Sequence, residues 1–409
     1  MENEIYIKRQ KYLDKLVSQK DKSIIKVITG LRRSGKSVLL NNIFYDYLLK
    51  SGVDKSHIIK VNLEYKKNEE LRNADKLYAY ITGKIGDEKR HYIFIDEVQL
   101  AEGFEDIVNE LCSEWHADVY LTGSNSKMLS KDINTKLRGR SIEIRMFPLS
   151  FAEYYAYYGG DRRNCFNQYL LYGGLPYLLT EDSNENKIEY LKMICDTVIA
   201  RDIIERHKLR KEDVFNAILE FLCSNIGSYV SAEKIANTLR SNGIKSITDD
   251  TVGAYIQYMC DAFLFYKAQR YDIKGKEYLK TQNKYYISDL GVRNSKLNYR
   301  QIEITHSLEN VIYLDLLRRG YTVDIGKNAS KEIDFVARSA DNIYYIQVAY
   351  TMTDEAKKEQ ELSSFRGLDD GYKKIVITMD DDPFVNLENG YKKINVFDFL
   401  LNDNALEQI

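Results

Sequence analysis

Gly30-Leu31-Arg32-Arg33-Ser34-Gly35-Lys36-Ser37 is the stretch that decides the fold. It meets the pattern G-x-x-x-x-G-K-[ST] without a mismatch. Its two glycines, Gly30 and Gly35, let the backbone curl so that successive N–H groups face phosphate oxygens, with Arg33 and Ser34 in the turn between them. Lys36 supplies a positive charge for the β- and γ-phosphates, and the Ser37 hydroxyl can ligate Mg²⁺. A pattern this short also arises by chance, so its flanks must decide. Ahead of it, Ile24-Ile25-Lys26-Val27-Ile28 is a β-branched run of the kind a buried parallel strand shows. Behind it, Val38, Leu39, Leu40, Ile43, Phe44, Tyr47 and Leu48 recur at helical spacing. Strand, glycine loop, helix is the order that aims a helix N-terminus at an anion; an unrelated glycine turn lacks it.

A second element supports the same reading. Tyr92-Ile93-Phe94-Ile95-Asp96-Glu97 is an apolar strand ending in two carboxylates. Asp96 at its tip would hold the Mg²⁺ shell, and Glu97 would polarise the attacking water. One more strand, Ile58-Ile59-Lys60-Val61-Asn62-Leu63, lies between it and the loop. The expectation is a nucleotide-hydrolysing core that works with Mg²⁺. Val119-Tyr120-Leu121-Thr122-Gly123-Ser124-Asn125 is a further buried strand with a polar tip. Because the carboxyl ends of parallel strands gather round the ligand, Ser124 and Asn125 are candidate phosphate sensors, ordinary turn residues being the alternative.

Composition bounds the rest. The 409 residues favour two to four domains. A net charge of −2 provides no global field towards nucleic acid or membrane. The five cysteines (112, 165, 195, 223 and 260) form no C-x-x-C pair, which points to buried reduced thiols rather than disulfides or zinc. No apolar run approaches the roughly 20 residues that span a bilayer. The opening Met-Glu-Asn-Glu has no signal-peptide shape, so a cytoplasmic protein without membrane partners is expected. Residues 5–17 are an amphipathic lead-in that either lies against the nucleotide base, with Arg9 towards the site, or simply packs.

Further on come Lys136-Leu137-Arg138-Gly139-Arg140 and Pro148-Leu149-Ser150-Phe151-Ala152-Glu153. With the double-arginine phosphate loop, the Asp-Glu-Val-Gln strand end and the Leu-Thr-Gly-Ser strand, the chain resembles a prokaryotic family of AAA-type ATPases. Members carry a winged helix and a C-terminal restriction-endonuclease-like domain. The resemblance implies an α/β fold: a P-loop NTPase parallel sheet over 1–150, a helical lid over 151–210, a winged-helix domain over 211–300 and a nuclease-like α/β domain over 301–409. It further implies that an arginine after the sensor strand reaches a neighbouring subunit's γ-phosphate, a role falling on Arg140 with Arg138 second; solvated surface arginines are the alternative. Leu170-Leu171-Tyr172-Gly173-Gly174-Leu175-Pro176 is similar to the Gly-x-Pro element of signalling ATPases, in which the proline lies against the nucleotide. A plain glycine-proline helix break fits Pro176 equally.

In the winged-helix region Ser231 can cap a helix from Ala232, and Thr248 one from Thr251. The helix that would enter a major groove holds Asp249, Asp250 and Asp261 and no lysine or arginine, which argues against base reading. The wing, with Lys267, Arg270, Lys274, Lys276, Lys280 and Lys284 against Asp272 and Glu277, leaves DNA backbone contact open. In residues 301–409, Glu309 on a helix, Glu332 and Asp334 on a strand, then Gln347-Val348-Ala349 on the next, follow the outline of a nuclease metal site. Gln347 is a poor ligand for a hard cation, and Ala349 stands where a lysine is needed. Lys331 is the residue expected to reach back if any does. The region holds 12 basic against 20 acidic residues, a net −8, so a recognition or assembly module without nuclease activity is expected. The whole reads as an ATP-driven switch with a protein partner or homo-oligomer. A ring-forming motor is the alternative, and nucleic-acid processing with a relocated nuclease centre a weaker one.

Overall fold

A computed structural model describes residues 7–125, 135–137, 139–244, 246–300, 303–382 and 385–409. The chain divides into two compact units, Met1–Pro148 with Asp261–Phe263, and Leu149–Cys260 with Leu264–Ile409.

The first unit is built on a parallel sheet. Helix α1 (Gln10–Gln19) precedes β1 (Ile25–Thr29). The phosphate loop then opens α2 (Lys36–Val38), which continues through a π-helical segment (Leu39–Phe44) into α3 (Tyr45–Lys50). There follow β2 (Ile58–Asn62), α4 (Ala74–Thr82), β3 (Tyr92–Asp96), α5 (Phe104–Ser113), β4 (Asp118–Gly123) and β5 (Ser141–Arg145). Among the described residues the sheet has five strands in the order β2-β3-β4-β1-β5, all parallel. Side chains on successive strand residues point to opposite faces, so the burial of every residue of β1, β3 and β4 implies layers on both sides. Val27, Ile59, Ile93, Ile95 and Leu121 pack on one face with Leu77, Ile81, Val108 and Leu111 of α4 and α5. Ile28, Phe94 and Tyr120 pack on the other with Tyr12 and Leu16 of α1 and with Leu39, Phe44 and Leu48. The strand order decides the site. β1 and β3 flank β4, so the phosphate loop, the Asp96-Glu97 pair and the tip of β4 converge at one edge.

The second unit begins with helices, Phe151–Tyr158 and Arg162–Tyr172 among them. Ser150 starts the first with a reciprocal capping box to Glu153. Ser231 caps Ala232–Ser241 by accepting the Lys234 N–H at 3.1 Å, and Thr248 precedes Asp249–Asp261. The hairpin β6 (Phe265–Asp272) and β7 (Glu277–Ile287) does not stand apart as a wing. It extends a sheet with β8 (Thr322–Asn328), β9 (Lys331–Arg338), β10 (Ile343–Ala349), β11 (Lys373–Thr378), β12 (Val385–Asn386) and β13 (Lys392–Asn395). The order among described residues is β12-β13-β11-β10-β9-β8-β6-β7, with β6 parallel to β8. One sheet therefore crosses the boundary expected near residue 300. Among the described residues no helix is long and apolar enough to cross a membrane.

Candidate nucleotide site and a second charged centre

Backbone geometry shapes the loop first. Gly30 has φ 141° and Gly35 φ 98°, conformations that L side chains avoid. A Cβ on Gly30 would lie 2.0 Å from the Met146 carbonyl oxygen, so the loop also packs too tightly for any side chain there. Arg33 occupies the left-handed region at φ 67°. Ser34 is fully buried, and its Oγ has no hydrogen-bond partner among the described residues. Lys36 is folded under the loop, its Nζ donating to the carbonyls of Gly30 and Leu31 at 3.0 Å each. Burial pushes its ammonium below the ordinary lysine range, with Glu97 and Asp96 acting the other way.

Asp96 is the hub. Its Oδ1 accepts from Ser37 Oγ at 3.0 Å and from Thr122 Oγ1; its Oδ2 accepts from Asn62 Nδ2 at 2.8 Å. Burial raises the Asp96 carboxyl above its ordinary value, against the Thr122 and Ser37 hydrogen bonds. A cation beside it would reverse that balance. Glu97 turns the chain at φ 55°, its N–H donating to Thr122 Oγ1 at 3.0 Å. Ser124 Oγ reaches its Oε2 at 3.3 Å, and Gln99 donates to the same oxygen. Asn125 is buried at the end of the same turn. Thus Lys36, Ser37, Asp96, Glu97 and Ser124 come together in one site. The sequence reading missed Thr122, which joins both acidic residues, along with Asn62 and Gln99. A threonine inside an apolar strand carries no signal of its own, although its place two residues before Ser124 puts it on the same face.

Arg140 lies elsewhere. Its carbonyl accepts the Ile25 N–H at 2.7 Å, where β1 and β5 begin, and its side chain is exposed. Five strand residues at ~3.3 Å each put roughly 16 Å between that edge and the phosphate loop, beyond an arginine's reach. Arg138 lies outside the described residues. Arg9 is buried, donates to the Phe147 carbonyl and stacks its guanidinium 4.7 Å over the Tyr12 ring.

Within the second unit, Pro176 opens a 3₁₀ turn (Pro176–Thr180). The glycines before it have a structural reason: the Gly174 N–H donates to Asp289 Oδ2 at 2.7 Å, and a Cβ on Gly173 would lie 2.2 Å from Asp289 Oδ1. Asp289 also caps Leu290–Lys296, and burial pushes its carboxyl up to about 6.

The second charged centre corrects the reading of residues 301–409. Glu309, Glu332 and Asp334 do meet a lysine, but it is not Lys331, which is exposed on β9. It is Lys284 of β7, whose Nζ lies 3.0 Å from Glu309 Oε1 and 2.7 Å from Glu332 Oε1. Burial acts to lower the Lys284 pKa, and Glu309, Asp334 and Glu332 overcome it, holding the ammonium above the ordinary lysine range. Tyr286 donates to the same Glu309 oxygen, and Asp334 Oδ2 accepts the Val348 N–H at 2.8 Å. Gln347 turns its amide to Glu361 Oε2 at 3.1 Å. Lys284 therefore leaves the charge count of the wing, since it is buried and ion-paired rather than available to a phosphate backbone.

A glycine loop over a buried lysine, a strand-end Asp-Glu pair and a parallel 2-3-4-1-5 sheet define a nucleotide-binding domain of the AAA type. A family model described as an AAA domain matches residues 22–155, and one described as a domain of unknown function matches 163–303. An uncharacterised protein of Haemophilus influenzae is 38% identical over 378 residues, covering 91% of this chain and 93% of its own. The chain belongs to the same family as that protein. An uncharacterised protein of Methanocaldococcus jannaschii is 29% identical over 398 residues, covering 91% and 85%. Among solved structures, Aeropyrum pernix Orc1 in complex with DNA aligns at 13% identity and a TM-score of 0.31, over 71% of this chain and 92% of that one.

Proposed function

We propose that the protein is an ATP-hydrolysing molecular switch whose nucleotide state is passed to its C-terminal region. The observation that carries this is the Asp96 hub, which sets a hydroxyl of the phosphate loop beside a strand-end carboxylate with Glu97 next in line. The loop's geometry supports the fit of a triphosphate. The Gly30 cradle is closed to any Cβ, and Ser34 Oγ lacks a partner among the described residues. Backbone N–H groups of the loop and Lys36 would hold the phosphates, while Ser37 and Asp96 would hold Mg²⁺, which polarises the transferred phosphoryl group. Glu97 orients the lytic water and takes its proton. Ser124 restrains the Glu97 carboxylate, and Asn125 continues that turn as a sensor of the γ-phosphate. Pro176 serves as the reporter in the helical lid.

The placement of Arg140 favours a second reading, assembly into a ring. Exposed at the opposite edge of the sheet, it would complete another copy's site and not its own. Contact of the β6–β7 hairpin with a DNA backbone would rest on its exposed Lys267, Lys274 and Lys276, Arg270 being half-buried over the Tyr229 ring. The test is nucleotide binding and turnover of two variants. Lys36→Ala is expected to abolish ATP binding, and Glu97→Gln to keep binding while stopping hydrolysis, because Glu97 acts only as the transition state forms. Unaltered turnover by Glu97→Gln would refute the assignment of the base.

A further inference from the structure

We propose that His57, Asp87 and His91 form a binding site for a first-row transition metal ion of the zinc class. The parallel register makes the site. Ile58 of β2 pairs with Tyr92 of β3, so the residues just before them, His57 and His91, are neighbours at the strand starts. Their rings lie 4.8 Å apart at 80°. The turn leading into β3 brings Asp87 to them, its Oδ2 2.9 Å from His57 Nε2. One ligand atom from each of the three lies within 4.8 Å of the others. A tetrahedral ion with bonds of about 2.1 Å needs ligand atoms roughly 3.4 Å apart. The His57–Asp87 pair is already closer than that, so an ion asks only a shift of about 1–1.5 Å within the cluster, and Asp87 sits in an exposed turn.

Two further contacts prepare the ligands. His91 is buried and its Nδ1–H donates to the Lys89 carbonyl at 2.9 Å, which leaves the Nε2 lone pair for an ion. Asp87 Oδ1 accepts the Lys89 N–H at 2.9 Å, which turns Oδ2 towards His57. Imidazole donors select zinc, cobalt, nickel or copper over magnesium, so this ion differs from the one the oxygen ligands at Asp96 would take. Three protein ligands leave a fourth position open. The ion ties the loop before β3 to β2, the edge strand of the sheet, at the end remote from the phosphate loop.

The experiment uses the full untagged chain, stripped with a chelator and titrated with Zn²⁺ alone, without nucleotide, against a chromophoric chelator of known affinity. A single competing equivalent is expected, weakened about 10-fold or more in both His91→Gln and Asp87→Asn. Asp87 is exposed, so its variant keeps the fold, checked by circular dichroism. Co²⁺ loading should give visible d–d bands without a thiolate charge-transfer band. No zinc uptake by the wild type, equal uptake in both variants, or a thiolate band would overturn the proposal and leave a plain His–Asp hydrogen bond.

Discussion

Replacing Lys284 by methionine tests how the second charged centre is held. Methionine keeps an unbranched stem of similar length, so the main loss is the ammonium and its bonds to Glu309 and Glu332. Lys284 and Glu309 are 6% and 8% exposed, whereas Glu332 is 32% exposed and can turn to water. The cost therefore falls on Glu309, left beside Asp334 with only the His306 imidazole, 3.9 Å from its Oε2, as a counter-charge, and that one fades as pH rises. Breaking a buried pair from one side costs about 3–5 kcal/mol. Protonation of the orphaned carboxyl limits that cost. Without Lys284 the folded-state pKa of Glu309 rises above its unfolded value, so folding is penalised increasingly as pH climbs. The loss should thus be larger at pH 8 than at pH 5. Because the chain has two units, hydrogen exchange of β7 and β9 amides is the suitable assay, as it reads local stability without assuming one global transition. The double variant Lys284→Met/Glu309→Gln should recover most of the loss, since the introduced amide is neutral and its oxygen can still accept from Tyr286. A loss under about 1 kcal/mol, or one independent of pH, would show that the pair is solvated and that Lys284 remains free to meet a ligand.

The remaining expectations concern the nucleotide site, a buried acid and nuclease activity. If Arg140 acts on a neighbouring copy, Arg140→Ala should lower kcat by roughly 10³-fold with little change in ATP binding. Mixing it with Glu97→Gln subunits should restore hydrolysis, and no restoration in a protein shown to exchange subunits would refute a trans role. Asp289 has its carboxyl raised to about 6, so the stability it contributes is present at low pH and lost as pH rises through that value. Relative to Asp289→Asn, the wild type should lose about 1 kcal/mol between pH 5 and 7.5 in denaturant titrations; a constant difference would show that the carboxyl is not desolvated. Incubation with single- and double-stranded DNA and RNA, with Mg²⁺ or Mn²⁺ and with or without ATP, should give no cleavage, because Lys284 is engaged by two glutamates and Gln347 by Glu361. Cleavage that disappears in Asp334→Ala would refute this.

What could be read from the sequence follows the range over which the information lies. The phosphate loop, β1 and the Asp96-Glu97 strand end each announce themselves within eight residues, because glycine conformation and strand burial are local properties. The meeting of Ser37 with Asp96 spans 59 positions, yet it followed from the rule that parallel strands gather their carboxyl ends. Lys284 and Glu309 are only 25 positions apart, and no such rule connected them. Counting charge along the hairpin treated every lysine as exposed, as an isolated wing would have it. Alternation along the strand carried the missing signal. Lys284 and Tyr286 are two residues apart on β7 and so share a face, and both donate to the same oxygen of Glu309. A tyrosine in the run Tyr285-Tyr286-Ile287 marks a covered face, and a lysine on that face needs a buried carboxylate opposite. Helix Ile304–Arg319 supplies it, carrying Glu309 among Leu308, Ile312 and Leu316, all buried. Burial of the hairpin thus required both charges, and neither could be placed before β6 and β7 were known to belong to the larger sheet.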